Sequence, residues 1–217
     1  MQVFEVEPDE KTILIYLPNF FQAYNVKERL FEIDNWRGQS ERDTRWAPPR
    51  LQRWSHLESK PFHSKWDPRL DRWQPVEYED WLLDFQTQFQ ADVEILSLVY
   101  KFKMPHINSV LINHYTDANS SIHLHQDCIP EFGSNPTILT ASFGATRTLD
   151  LIRVIPRDEP GKFTIDTEKA YLNRCFDLED GSLFIMAGTC QKYYAHTIAK
   201  TSEVSGSRIS CIFREHM

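Results

Sequence analysis

The chain has 217 residues, 41% of them hydrophobic, 25% charged and 13% aromatic, enough to bury one substantial core and too apolar for a disordered chain. No run approaches the ~18–20 apolar residues of a membrane span, and the start, 1–11, is acidic rather than basic-then-apolar, so the expectation is a cytoplasmic or nuclear protein without a signal peptide or membrane association. Four cysteines without a Cys-x-x-Cys pair suit a reducing compartment and speak against a thiolate zinc site.

The formal net charge of -7, taken alone, argues against a polyanionic partner. All six tryptophans, however, lie between Trp36 and Trp81, and Trp36 to Trp73 holds nine Lys or Arg against five Asp or Glu. That is a local balance of +4 on a body that carries -11.

In chain order, Thr12 to Leu17 reads as a strand ended by Pro18. A helix is expected from Asn19, which would cap it, through Phe31. Asn35 to Gln74 has no clean period and is broken by Pro48, Pro49, Pro61 and Pro68, which makes it a long irregular excursion of functional character. After Pro75, the positions Trp81, Leu82, Phe85 and Phe89 form one face of an amphipathic helix running to roughly Leu98, with Trp81 assigned to the core. Seven strand-like runs follow: Val110–Tyr115, Ile122–Asp127, Ile138–Phe143, Thr148–Val154, Cys175–Leu178, Ser182–Ala187 and Ser207–Phe213. Turn signals such as Asp117-Ala-Asn and Glu179-Asp-Gly separate them. So many short strands predict a mainly β (α+β) chain, a sandwich or jelly-roll barrel flanked by N-terminal helices.

In Ile122–Asp127, read as a strand, His123, His125 and Asp127 share a face. Two His and one carboxylate form the facial set that binds non-haem Fe(II) and leaves positions open, and His196 is the best further donor. A His-x-Asp triplet arises by chance roughly half a time in a chain of this composition, so the weight rests on the wider pattern. Arg208, Ser210, Ile212 and Arg214 alternate onto one strand face, and Asn113 and Tyr115 onto another. Guanidinium, amide and phenol suit a dicarboxylate.

The order Asn113-His-Tyr115, His125-Gln-Asp127, Ala141-Ser-Phe-Gly-Ala-Thr-Arg147, Asp180 to Gly188, Gln191-Lys-Tyr-Tyr-Ala-His196 and Arg208-x-Ser-x-x-Phe-Arg214 resembles the AlkB family of Fe(II)- and 2-oxoglutarate-dependent dioxygenases. The resemblance is to its nucleic-acid dealkylating members and runs from about Trp46 to Arg214. It implies one domain with a double-stranded β-helix (jelly-roll) core over 105–217 and a nucleotide-binding lid over 35–74. A strand and helix over 1–34 and a supporting helix over 75–100 would complete it. It further implies iron held by His125, Asp127 and His196, with 2-oxoglutarate held by Asn113, Tyr115, Arg208 and Arg214. The implied reaction consumes 2-oxoglutarate and O2 and hydroxylates an N-methyl carbon of a base such as 1-methyladenine or 3-methylcytosine. Succinate, CO2 and formaldehyde leave. The partner would be DNA, with RNA as a second substrate, and the enzyme a monomer.

A base must leave its stack to be oxidised. The spacing Trp46-Ala-Pro-Pro-Arg50 matches the family's lid, so Trp46 is expected to stack on the base opposite His125, with Arg50 and Arg53 as further substrate contacts. Lys60, Lys65, Arg69 and Arg72, interleaved with Trp54, Trp66 and Trp73, read as phosphate contacts beside stacking surfaces. Two departures stand out. Ile129 occupies a position where dealkylating members often carry an acid, with Glu131 as its nearest substitute, and Ser210 and Ile212 replace commoner Asn and Thr. A nucleobase, tRNA or protein hydroxylase therefore stays open. So does a cupin-type metal protein using His123, His125, Glu131 and His196.

Overall fold

The computed structural model describes residues 2–6, 11–38, 49–159, 161–202 and 206–217. Twelve strands and three helices occur among them: β1 (Gln2–Val6), β2 (Thr12–Leu17), α1 (Lys27–Phe31), β3 (Leu51–His56), α2 (Asp80–Tyr100), β4 (Ser109–Tyr115), β5 (Ile122–His125), β6 (Ile138–Gly144), β7 (Arg147–Pro156), β8 (Phe163–Ile165), β9 (Arg174–Leu178), β10 (Ser182–Gly188), α3 (Cys190–Tyr193), β11 (Tyr194–Ile198) and β12 (Arg208–Arg214).

A major sheet runs β1-β2-β10-β6-β12-β4-β3, and a minor one β5-β11-β7-β8 with β9 also on β7. Period-2 alternation gives the major sheet two unlike faces. Ile15, Val110, Ile112, Leu139, Ile185, Cys211 and Phe213 point to the helical side and meet Leu82, Phe85, Phe89 and Val93 of α2. Leu14, Tyr115, Ile138, Phe184 and Met186 point the other way, onto Leu149, Leu151, Phe176 and Ile198 of the minor sheet. Each fully buried Leu or Phe here contributes about 1.5–3 kcal/mol. The site lies between the sheets, on the second face. The mainly β expectation holds, and every expected strand from Val110 onward is present within a few residues.

Four local expectations change. The helix expected from Asn19 shrinks to Lys27–Phe31, because Asn19 is left-handed (φ 59°) and the turns after it drive Phe21, Tyr24 and Val26 into the helical-side core. The excursion 35–74 is not wholly irregular. β3 lies inside it and pairs with β4 from Leu51↔His114 to His56↔Ser109. Its polar residues hid it from a search for apolar alternation, yet Gln52, Arg53, Ser55 and His56 are all buried. β5 ends at His125, so Asp127 sits on the turn beyond the strand. β1, β8 and β11 had not been expected as strands. α2 runs as expected and stops at Lys101, which is left-handed (φ 56°).

Candidate active site

Strand pairing brings the two imidazoles together. His125 lies directly opposite His196 across β5 and β11, with ring centroids 4.3 Å apart. His125 donates its Nδ1 hydrogen to the His123 carbonyl (2.8 Å), which leaves Nε2 as a lone-pair donor 3.8 Å from Asp127 Oδ1. His196 Nε2 stands 3.9 Å from Asp127 Oδ2. One ligand atom from each of the three lies within 4.8 Å of the others, and this is the cluster of metal-ligating groups found among the described residues. Asp127 is steadied by its own N–H, which donates to Oε1 of the buried Gln191 on α3 (2.8 Å). Exposed His123 takes part through its backbone carbonyl.

Charge states suit a divalent cation. Burial, and then the neighbouring His125, push His196 down to about 3, and burial lowers His125 as well, so both rings present lone pairs at neutral pH. Burial alone would raise Asp127, but the Arg214 guanidinium and the two imidazoles outweigh it and hold the carboxyl below its ordinary value. Two neutral imidazoles and a carboxylate are the donor set of a 2-His-1-carboxylate iron site.

Beside this cluster the pocket is lined with donors that have nothing to donate to. Pairing of β12 with β4 sets Arg208 opposite Tyr115 and Ser210 opposite Asn113. Arg208 is fully buried, lies 5.0 Å over the Tyr115 ring and spends one nitrogen on Ser142 Oγ (2.8 Å). Its Nε and Nη1, all three guanidinium nitrogens of Arg214, Asn113 Nδ2 and Ser210 Oγ have no hydrogen-bond partner among the described residues. Arg214 Nη1 is 3.5 Å from Asp127 Oδ1, and its guanidinium lies 4.5 Å over Phe132. Orphaned buried donors are costly, at about 1–3 kcal/mol each and more when charged. Two guanidiniums at opposite ends of one cavity fit a bound dicarboxylate, with Arg214 at the metal end.

The 2OG-Fe(II) oxygenase superfamily pattern matches residues 14–214. The chain belongs to this superfamily. Its Fe(II), 2-oxoglutarate and O2 accord with the donor set and the orphaned guanidiniums just described. The chain is 36% identical over 108 residues to alpha-ketoglutarate-dependent dioxygenase alkB homolog 3 of Mus musculus, covering 49% of this chain and 36% of that protein. It is 30% identical over 134 residues to DNA oxidative demethylase ALKBH2 of Arabidopsis thaliana, covering 56% and 42%. The chain thus covers well under half the length of these relatives. The solved structure of OsALKBH1 superposes with a TM-score of 0.61 at 17% identity, covering 93% of this chain and 97% of that one, a likeness of fold.

The residues expected in the nucleotide-binding segment divide. Trp46 lies outside the described residues. Arg50 is at the pocket, where Nε donates to Asn113 Oδ1 (2.9 Å) and Nη1 to the Ser121 carbonyl (3.0 Å). Arg53 is not brought to the site. It alternates onto the helical side of β3, is fully buried and pairs with Glu79 and the Glu77 carbonyl. Trp54 is also fully buried, with Nε1 donating to the Lys60 carbonyl (2.9 Å), so it is core rather than a stacking surface. Trp66 and Trp73 pack with Phe62 at centroid distances of 5.6 and 4.6 Å. Lys60 pairs with Glu58 (2.8 Å) and Arg69 with Asp67 (2.6 Å), each cation held by an acid of the same segment that the balance of +4 already counts. Arg72 is buried, 5.0 Å over Trp73. Trp81 packs against the helical-side core, as expected.

Ile129 packs against the cluster of Trp54, Phe62, Leu111 and Phe132. Glu131 does not join the metal-ligating cluster among the described residues, which removes the cupin arrangement. One of its oxygens receives the Ser64 N–H (2.9 Å) and hydroxyl (2.8 Å) and meets His63 Nδ1 (2.9 Å), fastening the His63 segment to the loop after β5. His216 does the same from the C-terminal side, with Nε2 on the Phe62 carbonyl (3.1 Å). Nothing in the sequence marked His216, His63 or Gln52. Gln191 lay inside a recognised motif but without a role. Among the described residues no helix is long and apolar enough to cross a membrane.

Proposed function

We propose that this protein uses Fe(II), 2-oxoglutarate and O2 to remove alkyl groups oxidatively from N-alkylated bases, of the 1-methyladenine and 3-methylcytosine type, in DNA and secondarily RNA. The observation that carries the oxygenase reading is the convergence of His125, Asp127 and His196 beside buried, unsatisfied Arg208 and Arg214. The nucleic-acid reading is supported by the basic, tryptophan-rich segment and by the similarity to DNA oxidative demethylase ALKBH2 of Arabidopsis thaliana.

In this reading His125, Asp127 and His196 would hold the metal. Arg208, Tyr115 and Asn113 would take one carboxylate of 2-oxoglutarate, and Arg214 the end nearer the metal. The bound metal and co-substrate supply the oxidising equivalents: one oxygen atom of O2 enters succinate as CO2 leaves, and the other converts the N-methyl group to N-hydroxymethyl. That group expels formaldehyde and restores the base. The chain's own work is to keep both imidazoles neutral, to neutralise the carboxylates and to exclude water with Leu149, Met186 and Ile198, which line the cavity or its rim. Trp46 is the residue to stack on the flipped base.

The test is incubation with Fe(II), ascorbate and 2-oxoglutarate against oligonucleotides bearing 1-methyladenine, 3-methylcytosine or N6-methyladenine, with nucleosides analysed by mass. Loss of 14 mass units, about one methylene, from the first two is expected. If no methyl is lost from any while succinate still forms, the dealkylase reading falls and the oxygenase reading stands.

A further inference from the structure

Asn113 sits in a buried polar row that crosses five strands of the major sheet. Gln52 (β3), Asn113 (β4), Ser210 (β12), Ser142 (β6) and Ser182 (β10) lie directly opposite one another in turn. All five are buried to within 1% exposure. Asn113 Oδ1 receives two hydrogen bonds, from Arg50 Nε (2.9 Å) and Gln52 Nε2 (3.0 Å). A guanidinium has no acceptor, so the atom it meets must be the amide oxygen, and two donors occupy both of that oxygen's lone pairs. The orientation of the amide is thereby fixed. Nδ2 turns away from β3, buried and without a partner among the described residues, on the same face as Ser210 Oγ and the unused nitrogens of Arg208.

We propose that Arg50 and Gln52 are positioning residues for the co-substrate, which hold the Asn113 amide with its N–H donors toward a carboxylate of 2-oxoglutarate. The proposal rests on reading this pocket as the 2-oxoglutarate site. Without these two donors the amide is free to rotate and present its oxygen, which would set one acceptor against another. Arg50 also binds the Ser121 carbonyl at the head of β5, the strand that carries His125.

The test is an anaerobic titration of Mn(II)-loaded protein with 2-oxoglutarate, followed by calorimetry, on Gln52→Glu, Gln52→Met, Arg50→Met/Gln52→Met and Asn113→Ala. Gln52→Glu replaces a donor by a carboxylate that draws the amide round. It should raise the 2-oxoglutarate Kd by about ten- to a hundredfold, the range of one hydrogen bond to a charged group. Gln52→Met, which leaves Arg50 in place, should raise it less, and the double variant should approach Asn113→Ala. In Gln52→Glu and Gln52→Met, KM for 2-oxoglutarate should rise with kcat at saturation retained and Mn(II) affinity unchanged, a split that mere loss of folding does not give. If Asn113→Ala weakens binding while Gln52→Glu and the double variant stay within about twofold of the parent, the proposal falls and the pocket reading stands. If Asn113→Ala itself changes nothing, both fall.

Discussion

The pocket that holds His125, Asp127 and His196 and the segment from β3 to Gln74 are held by different physics. In the pocket, position follows from strand register: His125 opposite His196, Arg208 opposite Tyr115, Ser210 opposite Asn113. A one-residue slip would turn every one of these side chains to the other face of its sheet, so the same backbone bonds that stabilise the core also aim the chemistry. Beyond β3, this segment has few such bonds. It is moored by single side chains, Glu131 to His63 and Ser64, His216 to the Phe62 carbonyl, and Trp54 to the Lys60 carbonyl, with an aromatic cluster beneath. Register-built parts resist change and fail completely. Side-chain moorings fail one at a time and respond to pH.

The sharpest break is expected at Asp127. Asp127→Ala removes the only carboxylate of the cluster and leaves buried Arg214 with no counter-charge. Fe(II)-dependent succinate formation should fall by about a thousandfold or more, since a metal site that loses its anionic ligand loses both affinity and geometry. The sheets should stay folded, because Asp127 lies beyond the end of β5. Measured turnover near the parent value would refute the three-residue metal centre.

Gln191 offers a graded version of the same test. It touches Asp127 only through the backbone N–H, and its other end lies 3.5 Å from Met186 Sδ. Gln191→Leu keeps the volume but removes the acceptor, and should weaken metal affinity about ten- to a hundredfold, the usual effect of losing a partner of a ligand. Competition between the protein and a chelator of known affinity would read this directly. An unchanged metal affinity would mean that strand register alone aims Asp127.

The contrast also decides what was legible in the sequence. Alternation along a strand groups Asn113 with Tyr115 and Arg208 with Arg214, while the choice of His125, Asp127 and His196 as metal ligands and of the 2-oxoglutarate set follows from the resemblance to the AlkB family. The helical-side core followed from the spacing of Leu82, Phe85 and Phe89. The segment from β3 to Gln74 has no such grammar. Arg53 and Trp54 look in sequence like a basic residue beside an aromatic stacking surface, yet adjacent positions on β3 face opposite ways, and both are fully buried. Glu131 and His216 act through contacts 67 and 154 residues away in the chain, which no local spacing records. Asn19 was misjudged for a related reason: capping preference is worth about 1 kcal/mol, and burying Phe21 and Tyr24 outweighs it.

The smallest expected effect separates the two regions by pH. His216 and His56 meet edge to face at a centroid distance of 4.8 Å, both with one buried ring nitrogen lacking a hydrogen-bond partner among the described residues. Burial first lowers both below the ordinary histidine value; His216 then lowers His56 further, and Lys60 and Arg214 lower His216, although the Phe62 carbonyl and Glu131 oppose this at His216. A histidine held neutral in the folded state binds fewer protons there than in the open one. Its contribution is therefore complete above about pH 6.5 and is lost as the pH falls below that value. Glu131 behaves in the opposite sense to its own burial. The Ser64 N–H and hydroxyl and His63 outweigh desolvation and hold it at about 2, so its mooring persists as an anion through the same range and weakens only below about pH 4. Lowering the pH from 7.5 to 5.5 should thus loosen the Phe62 side of the segment while the Ser64 side stays fastened. Hydrogen exchange of the Phe62 amide, which donates to the Trp73 carbonyl (2.9 Å), should speed up several-fold, with the central strands β6 and β12 unaffected. His216→Gln keeps a donor for the Phe62 carbonyl but cannot titrate, and should flatten most of this dependence. An equal acceleration in that variant would show that the aromatic cluster, and not the histidine pair, sets how firmly the segment is held.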